Sequence, residues 1–259
     1  MFKKKIVVAL ALFISVIMLL SSGLAVHAYH SAHLPVGSNV NVEVPSDTVV
    51  SRTFTMSNFD HIIVGGNWAV TYVESPTHFI RVEMPYEWFD RYNFNVRLRR
   101  LSVERRSPLP NSNRSVQPRI YVHAPSLDSV NLSGTAVAEN WSPVVGRDFS
   151  INISGAARAN LNVDITGNLV VNSSGSPNLT LSGNTESLRI NGAGVTRISA
   201  FDLRAVDVRP VSLAGVGTVE VTAIDRLDVR AAGTTRLYFR GNPTVTQRTT
   251  GLARVRDAN

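Results

Sequence analysis

Four carboxylates in the C-terminal third, Asp202, Asp207, Asp225 and Asp228, are the residues best suited to chemistry. Stacked on one face they would bind calcium, or work as an acid and base pair in glycoside cleavage. Arg204, Arg209, Arg226 and Arg230 are interspersed among them, and such alternation also describes a solvated face whose ion pairs add little stability. Patterns for a metalloprotease helix (H-E-x-x-H), a phosphate loop (G-x-x-x-x-G-K) and a nucleophile elbow (G-x-S-x-G) are absent. His30 and His33 stand in a polar stretch without further ligands. The chain has no cysteine, which excludes a disulfide scaffold, a cysteine nucleophile, a thiolate zinc site, an iron–sulfur cluster and lipoprotein anchoring. We therefore assign no catalytic residue, no metal ligand and no cofactor, and a carbohydrate-active enzyme stands as the alternative.

The formal net charge of +7 divides unevenly. All three lysines are Lys3, Lys4 and Lys5, and the chain after residue 28 carries 23 Arg against 19 acidic residues, 23 − 19 = +4. The densest basic group is Arg97, Arg99, Arg100, Arg105 and Arg106. It reads as contact with an anionic surface, a phospholipid headgroup or an acidic glycan, or as charges that keep an edge hairpin from pairing with other chains. Glu104 within the group, and an export signal at the front of the chain, argue against nucleic acid. Tyr86, Trp88, Phe89 and Tyr92 cluster between two strand-like runs; the cost of exposing aromatic area favours a core role over a sticky patch.

The elements that position these residues begin with a leader. Lys3 to Lys5 precede fifteen uncharged residues, Ile6 to Leu20, and then Val26-His27-Ala28, the pattern of an export signal cleaved after Ala28. The uncharged run reaches Val26, about 21 residues, so an uncleaved anchor formed by residues 6–26 is the competing reading. Either way the body is exported, to the periplasm or cell surface. Residues 29–51 form a linker rich in Ser, Pro, Asn and Val.

The body is a repeat. Gly134, Gly155, Gly175, Gly194, Gly215, Gly233 and Gly251 follow one another at intervals of 21, 20, 19, 21, 18 and 18 residues. Four places before them stand Val130, Ile151, Val171, Ile190, Val211, Val229 and the polar exception Gln247; four places after stand Ala138, Ala159, Leu179, Ile198, Val219, Leu237 and Val255. Apolar residues alternating on both sides of a small-residue turn define strand, turn, strand. A unit of this size cannot bury its apolar face alone, but stacked copies can. The spacing therefore predicts an all-β solenoid of about 20-residue repeats, with almost no helix outside the leader and a β-sandwich as the alternative. Gly66, between Ile62 and Val70, belongs to an earlier copy. After it, Phe94, Val96 and Leu98 alternate with Asn95 and Arg97 and pair with the run from Leu101 to Glu104 as a hairpin, which with Phe79–Glu83 makes an inserted meander. A Pro- and Ser-rich loop, Ser107 to Pro118, follows.

Phe59-Asp60-His61-Ile62-Ile63-Val64-Gly65-Gly66, the segment closing in Ala124-Pro125-Ser126-Leu127, the serial Ser-Gly turns and the ending Leu237-Tyr238-Phe239-Arg240-Gly241-Asn242-Pro243 together resemble the bacterial family called putative auto-transporter adhesin, head GIN domain. The resemblance covers about Arg52 to Arg256. It implies an exported envelope protein of β-helical fold, and supplies no catalytic residues. A self-transporting adhesin uses a translocator of long membrane strands, whereas Gly251 to Asn259 reads as a polar finish to a solenoid.

The sequence thus predicts a leader or anchor (1–28), a linker (29–51) and a solenoid domain (52–256), irregular over 59–127 and regular over 128–256. Its expected role is non-enzymatic: binding of the adhesion type, or structural service, toward a protein or glycan of the cell envelope, with a membrane-tethered scaffold or sensory ectodomain as a further alternative.

Overall fold

The computed structural model describes residues 48–109 and 116–259. The leader, and the part of the linker before residue 48, lie outside the described residues. In chain order the strands are β1 (Val49–Thr55), β2 (His61–Gly66), β3 (Ala69–Glu74), β4 (Phe79–Pro85), β5 (Tyr92–Arg97), β6 (Arg100–Arg105), β7 (Arg119–Ala124) and β8 (Ser129–Gly134). Then come β9 (Val137–Ala138), β10 (Val144–Gly146), β11 (Phe149–Gly155), β12 (Arg158–Gly175), β13 (Asn178–Arg240), β14 (Thr244–Gly251) and β15 (Arg254–Asp257). Among the described residues the only helix is a 3-10 turn, Tyr86–Arg91.

Parallel pairing in register builds a β-solenoid. Strand β2 lies beside β8, β8 beside β11, β11 beside β12, β12 beside β13, and β13 beside β14. The ladder continues around the corners of the coil, so β13 runs unbroken for 63 residues. A sandwich of antiparallel strands is thereby ruled out for the body, since every coil repeats the direction of the last.

The glycines of the repeat form one column. All eight, from Gly66 to Gly251, have positive φ, between 72° and 120°, a conformation that L side chains adopt only at a cost. Close approach adds a second constraint: a methyl group on Gly155 would sit 2.7 Å from the carbonyl oxygen of Gly134. That oxygen instead accepts the N–H of Ala156 at 2.8 Å, and the Gly155 oxygen accepts the N–H of Ser176 at 2.7 Å. Each turn is hydrogen-bonded to the next through a space that no side chain can enter.

Inside the coil, residues four places before the glycines stack as Ile62, Val130, Ile151, Val171, Ile190, Val211 and Val229, all fully buried. The column of Val70, Ala138, Leu179, Val219 and Leu237 faces them from the strands after the turn. Gln247 breaks the first column where burial ends; every residue of β14 is exposed.

At the other end the insertion adds strands to the first coil. Strand β6 stacks in parallel on β2 and carries β5 antiparallel beside it, while β7 stacks on β3 and carries β4 and then β1. The 3-10 turn crosses between them and drops Trp88 and Phe89 into the end of the core. Trp68 meets Tyr92 edge-on at 5.0 Å, and Phe54 packs against Phe94 at 5.3 Å. Of the four clustered aromatics, Tyr86 alone is exposed, with the Arg52 guanidinium 4.9 Å from its ring centre.

One alternation is broken. Phe94 and Val96 pack inward, but Leu98 does not join their face: it is 91% exposed. Leu98 and Arg99 form the two-residue hairpin loop with φ of 49° and 61°. Positive φ at both central residues matches the strand twist, and that backbone turn removes Leu98 from the pleat.

Replacing Gly155 by alanine is expected to cost at least ~1–2 kcal/mol from the backbone conformation alone, with the carbonyl clash in addition. Gly146→Ala, where an added methyl meets nothing within 4 Å, is expected to stay within about 0.5 kcal/mol. Thermal melts of the two variants check the contrast; equal melts would contradict the column.

Candidate binding face

The hairpin alternation sorts the five arginines of the basic group. Arg97 and Arg100 face each other across the ladder on the outward side, and both are exposed, as is Arg105 opposite Tyr92. Arg106 donates to Asn93 Oδ1 at 2.9 Å. Arg99 turns the other way: its Nε donates to Asp60 Oδ2 at 2.6 Å and its Nη2 bonds the same oxygen. The structure therefore spreads the group over a hairpin and commits Arg99 to an internal partner.

That partner lies in a cluster of hydrolase-like composition. His61 Nδ1 is 2.6 Å from Ser129 Oγ on the neighbouring coil, and His61 Nε2 is 3.3 Å from Asp60 Oδ1. In such a trio free backbone N–H groups commonly stabilise a developing oxyanion. The local N–H groups of Asp128 and Ser129 instead donate to the Asp60 carbonyl at 2.8 and 3.2 Å, and those of Asp60 and His61 to the Arg99 carbonyl. These contacts form a latch. Buried Asp60 holds the strained Leu98–Arg99 loop, and through it the hairpin, against the first two coils. Partial burial and the Asp60 carboxylate push the Asp128 carboxyl above its usual range, while hydrogen bonding to Asp60 raises Arg99 further.

The C-terminal carboxylates do not converge. Asp207 is held by Arg209 at 2.7 Å and Arg226 at 2.9 Å, Asp228 lies 3.8 Å from Arg230, and Asp202 and Asp225 are exposed. Among the described residues no group of three or more His, Asp or Glu side chains is placed to hold a metal ion.

What the coil does assemble is a trough. Residues three places before the glycines point outward and stack as Asn131, Asn152, Asn172 and Asn191; Asn172 donates to Asn152 at 2.8 Å and Asn191 to Asn172 at 2.9 Å. Beside them, one place before the glycines, run the small residues Ser133, Ser154, Ser174, Ala193 and Ala214. Together they line a groove of about 610 Å³ that begins at Ile63 and ends at Arg230. Each asparagine of the hydrogen-bonded run spends one donor or acceptor site, or one of each, on the column and keeps others toward solvent. The set repeats at the strand spacing of about 4.8 Å, a ladder suited to an elongated polar ligand. The sequence carries a signal for this column, the same residue type at the same offset in four successive units, though asparagine singly has no reason to mark a site.

A parallel β-solenoid with a capped N-terminal end, presenting columns of side chains rather than a convergent centre, defines the class of the domain. The chain belongs to the family described as Putative auto-transporter adhesin, head GIN domain, whose model matches residues 58–243. No curated protein sequence matches it. It is similar in fold to the crystal structure of a putative adhesin from Bacteroides fragilis, with a TM-score of 0.75 at 20% identity over 82% of this chain and 98% of that one. A putative adhesin from Parabacteroides distasonis gives 0.60 at 21% identity, over 82% and 98%. A structure described as a putative lipid binding protein from the same organism gives 0.62 at 19% identity, over 82% and 97%.

Removing the guanidinium from the latch should be felt where removing its neighbours is not. Arg99→Gln leaves buried Asp60 without its strongest partner and a strained loop without its anchor, so its melting temperature should fall clearly below that of the wild type. Arg97→Gln and Arg100→Gln should melt as the wild type does. Equal melts for all three would show that Arg99 is an ordinary surface charge.

Proposed function

We propose that this chain is a non-enzymatic binding module of the adhesion type, exported to the cell envelope, whose asparagine-lined trough receives an elongated polar ligand such as a glycan or an extended protein segment. The trough carries the reading: a continuous groove of about 610 Å³ across successive coils, where asparagine amides and serine hydroxyls stand beside the apolar side chains of Ile63, Leu132, Ile153 and Leu213. A rigid stack suits this work because the ligand-facing groups are ordered before binding, which lowers the entropic cost of association. Membership in a family described as Putative auto-transporter adhesin, head GIN domain, and the likeness to two structures of putative adhesins support the same reading. The exposed arginines of the hairpin, Arg97, Arg100 and Arg105, add positive charge that draws anionic envelope components toward the molecule. The basic start and apolar run of residues 3–26 support export, with cleavage after Ala28 releasing the domain or an intact run tethering it. Among the described residues no helix is long and apolar enough to cross a membrane.

Filling the trough tests the binding reading. Ser154→Tyr with Ser174→Tyr places two large side chains in the groove at outward positions. The double variant should melt as the wild type and lose its signal in a screen of glycans and matrix proteins. An undiminished signal would move the ligand elsewhere. Export is checked by N-terminal sequencing of the protein recovered from the cell envelope: Tyr29 as the first residue is expected, and an intact Met1 or Lys3 would mean a retained anchor.

A further inference from the structure

The glycine corner changes character along the solenoid. In the first coils the residues just after the glycines are Asn67, Thr135, Ala156 and Ser176; in the last they are Val195, Val216, Thr234 and Leu252. Val195, Val216 and Leu252 stand at this corner 44%, 53% and 68% exposed. Charge changes at the same place. Residues 128–188 hold 2 Arg against 5 acidic residues, 2 − 5 = −3, whereas residues 189–259 hold 11 against 6, 11 − 6 = +5.

The arginines flank the crest on both sides. Arg197, Arg236 and Arg254 lie three places after their glycines, and Arg230 and Arg248 three places before. Arg230 stands directly opposite Arg248, and Arg236 directly opposite Arg254. Like charges paired across a ladder destabilise it, and the acids nearby relieve them little: Asp228 reaches only Arg230, at 3.8 Å, and Glu220 is taken by Ser199 at 2.6 Å. Arg197, Arg236, Arg248 and Arg254 form no ion pair among the described residues. An anionic surface laid over the corner would turn these repulsions into attraction.

We infer that the glycine corner of the C-terminal coils, crested by Val195, Val216 and Leu252 and flanked by Arg197, Arg236, Arg254, Arg230 and Arg248, seats on an anionic lipid bilayer. The crest rests at the depth of the headgroups and the guanidinium groups bind phosphates, the division of labour of interfacial segments. A soluble acidic polysaccharide would use the arginines and leave the apolar crest in water; a bilayer uses both. This surface goes beyond the trough reading, and substitutions on the crest leave Ser154 and Ser174 in place, so the two fail separately.

The chain has no cysteine, so a single introduced thiol takes an environment-sensitive fluorophore at one site. The full chain carrying Val216→Cys and, separately, Thr135→Cys is labelled and mixed with phosphatidylcholine vesicles containing phosphatidylglycerol, and with phosphatidylcholine vesicles alone. A blue shift is expected at position 216 on the anionic vesicles only, with none at position 135 in the polar half of the same column. Arg197→Gln, Arg236→Gln and Arg254→Gln together should weaken the vesicle concentration dependence of the shift at least tenfold. Comparing the two labelled positions separates this contact from any held by the N-terminal apolar run. No shift at position 216, or equal shifts at both positions, would overturn the proposal. So would retention on immobilised polyuronate that the three Gln substitutions abolish while the vesicles produce no shift, which would assign the arginines to an acidic polysaccharide.

Discussion

The carbonyl oxygen of each turn glycine lies where the Cβ of the next would stand. From this one steric fact the parallel stack follows. Only a residue without a side chain permits the approach, the approach lets each turn bond the next, and the turns hold every coil at the same register. With the register fixed, whatever side chain recurs at a given offset becomes a column. Branched aliphatic residues four places from the glycine become a core, asparagines three places before it become a hydrogen-bonded ladder, and small residues one place before it become the floor of a groove.

That logic explains which parts were legible in the sequence. Gly66 and the seven later glycines could be read because positive φ and close approach leave almost no other residue available, and the aliphatic columns because a strand has period two. The first coil was recognisable although 68 residues separate Gly66 from Gly134, since Ile62 and Val70 keep their offsets. Leu98 was misplaced by the same period-two rule, which runs on until a turn stops it; neither Leu98 nor Arg99 is a residue that announces positive φ. Their conformation depends on Asp60, 39 positions away from Arg99 in sequence, and such a contact has no local signature. The pairing of β1 with β4, and of β4 with β7, was hidden for the same reason.

The basic hairpin group and the acidic cluster show the limit of composition as a guide to sites. Five neighbouring arginines read as one patch, yet alternation sends them to different faces and the latch removes Arg99 altogether. Four aspartates read as a candidate centre, yet two of them sit in ion pairs with the arginines between them. The trough and the glycine corner had the opposite history. Each is built from residues far apart in sequence and unremarkable singly, and each exists only because the register brings equivalents of successive coils into line. In a solenoid, function is read from offsets relative to the repeat and from how they change along it, as the corner does between Ser176 and Val195.

Amide hydrogen exchange at the turns tests the glycine column most directly. The N–H groups of Thr135, Ala156 and Ser176 donate to the carbonyls of Gly66, Gly134 and Gly155. Although they sit at an exposed corner, they should exchange as slowly as amides of the buried strands, such as those of Ile151 and Val171. Exchange at the rate of an open loop would mean that the turns are not bonded to one another, and the account of the stack would fail with them.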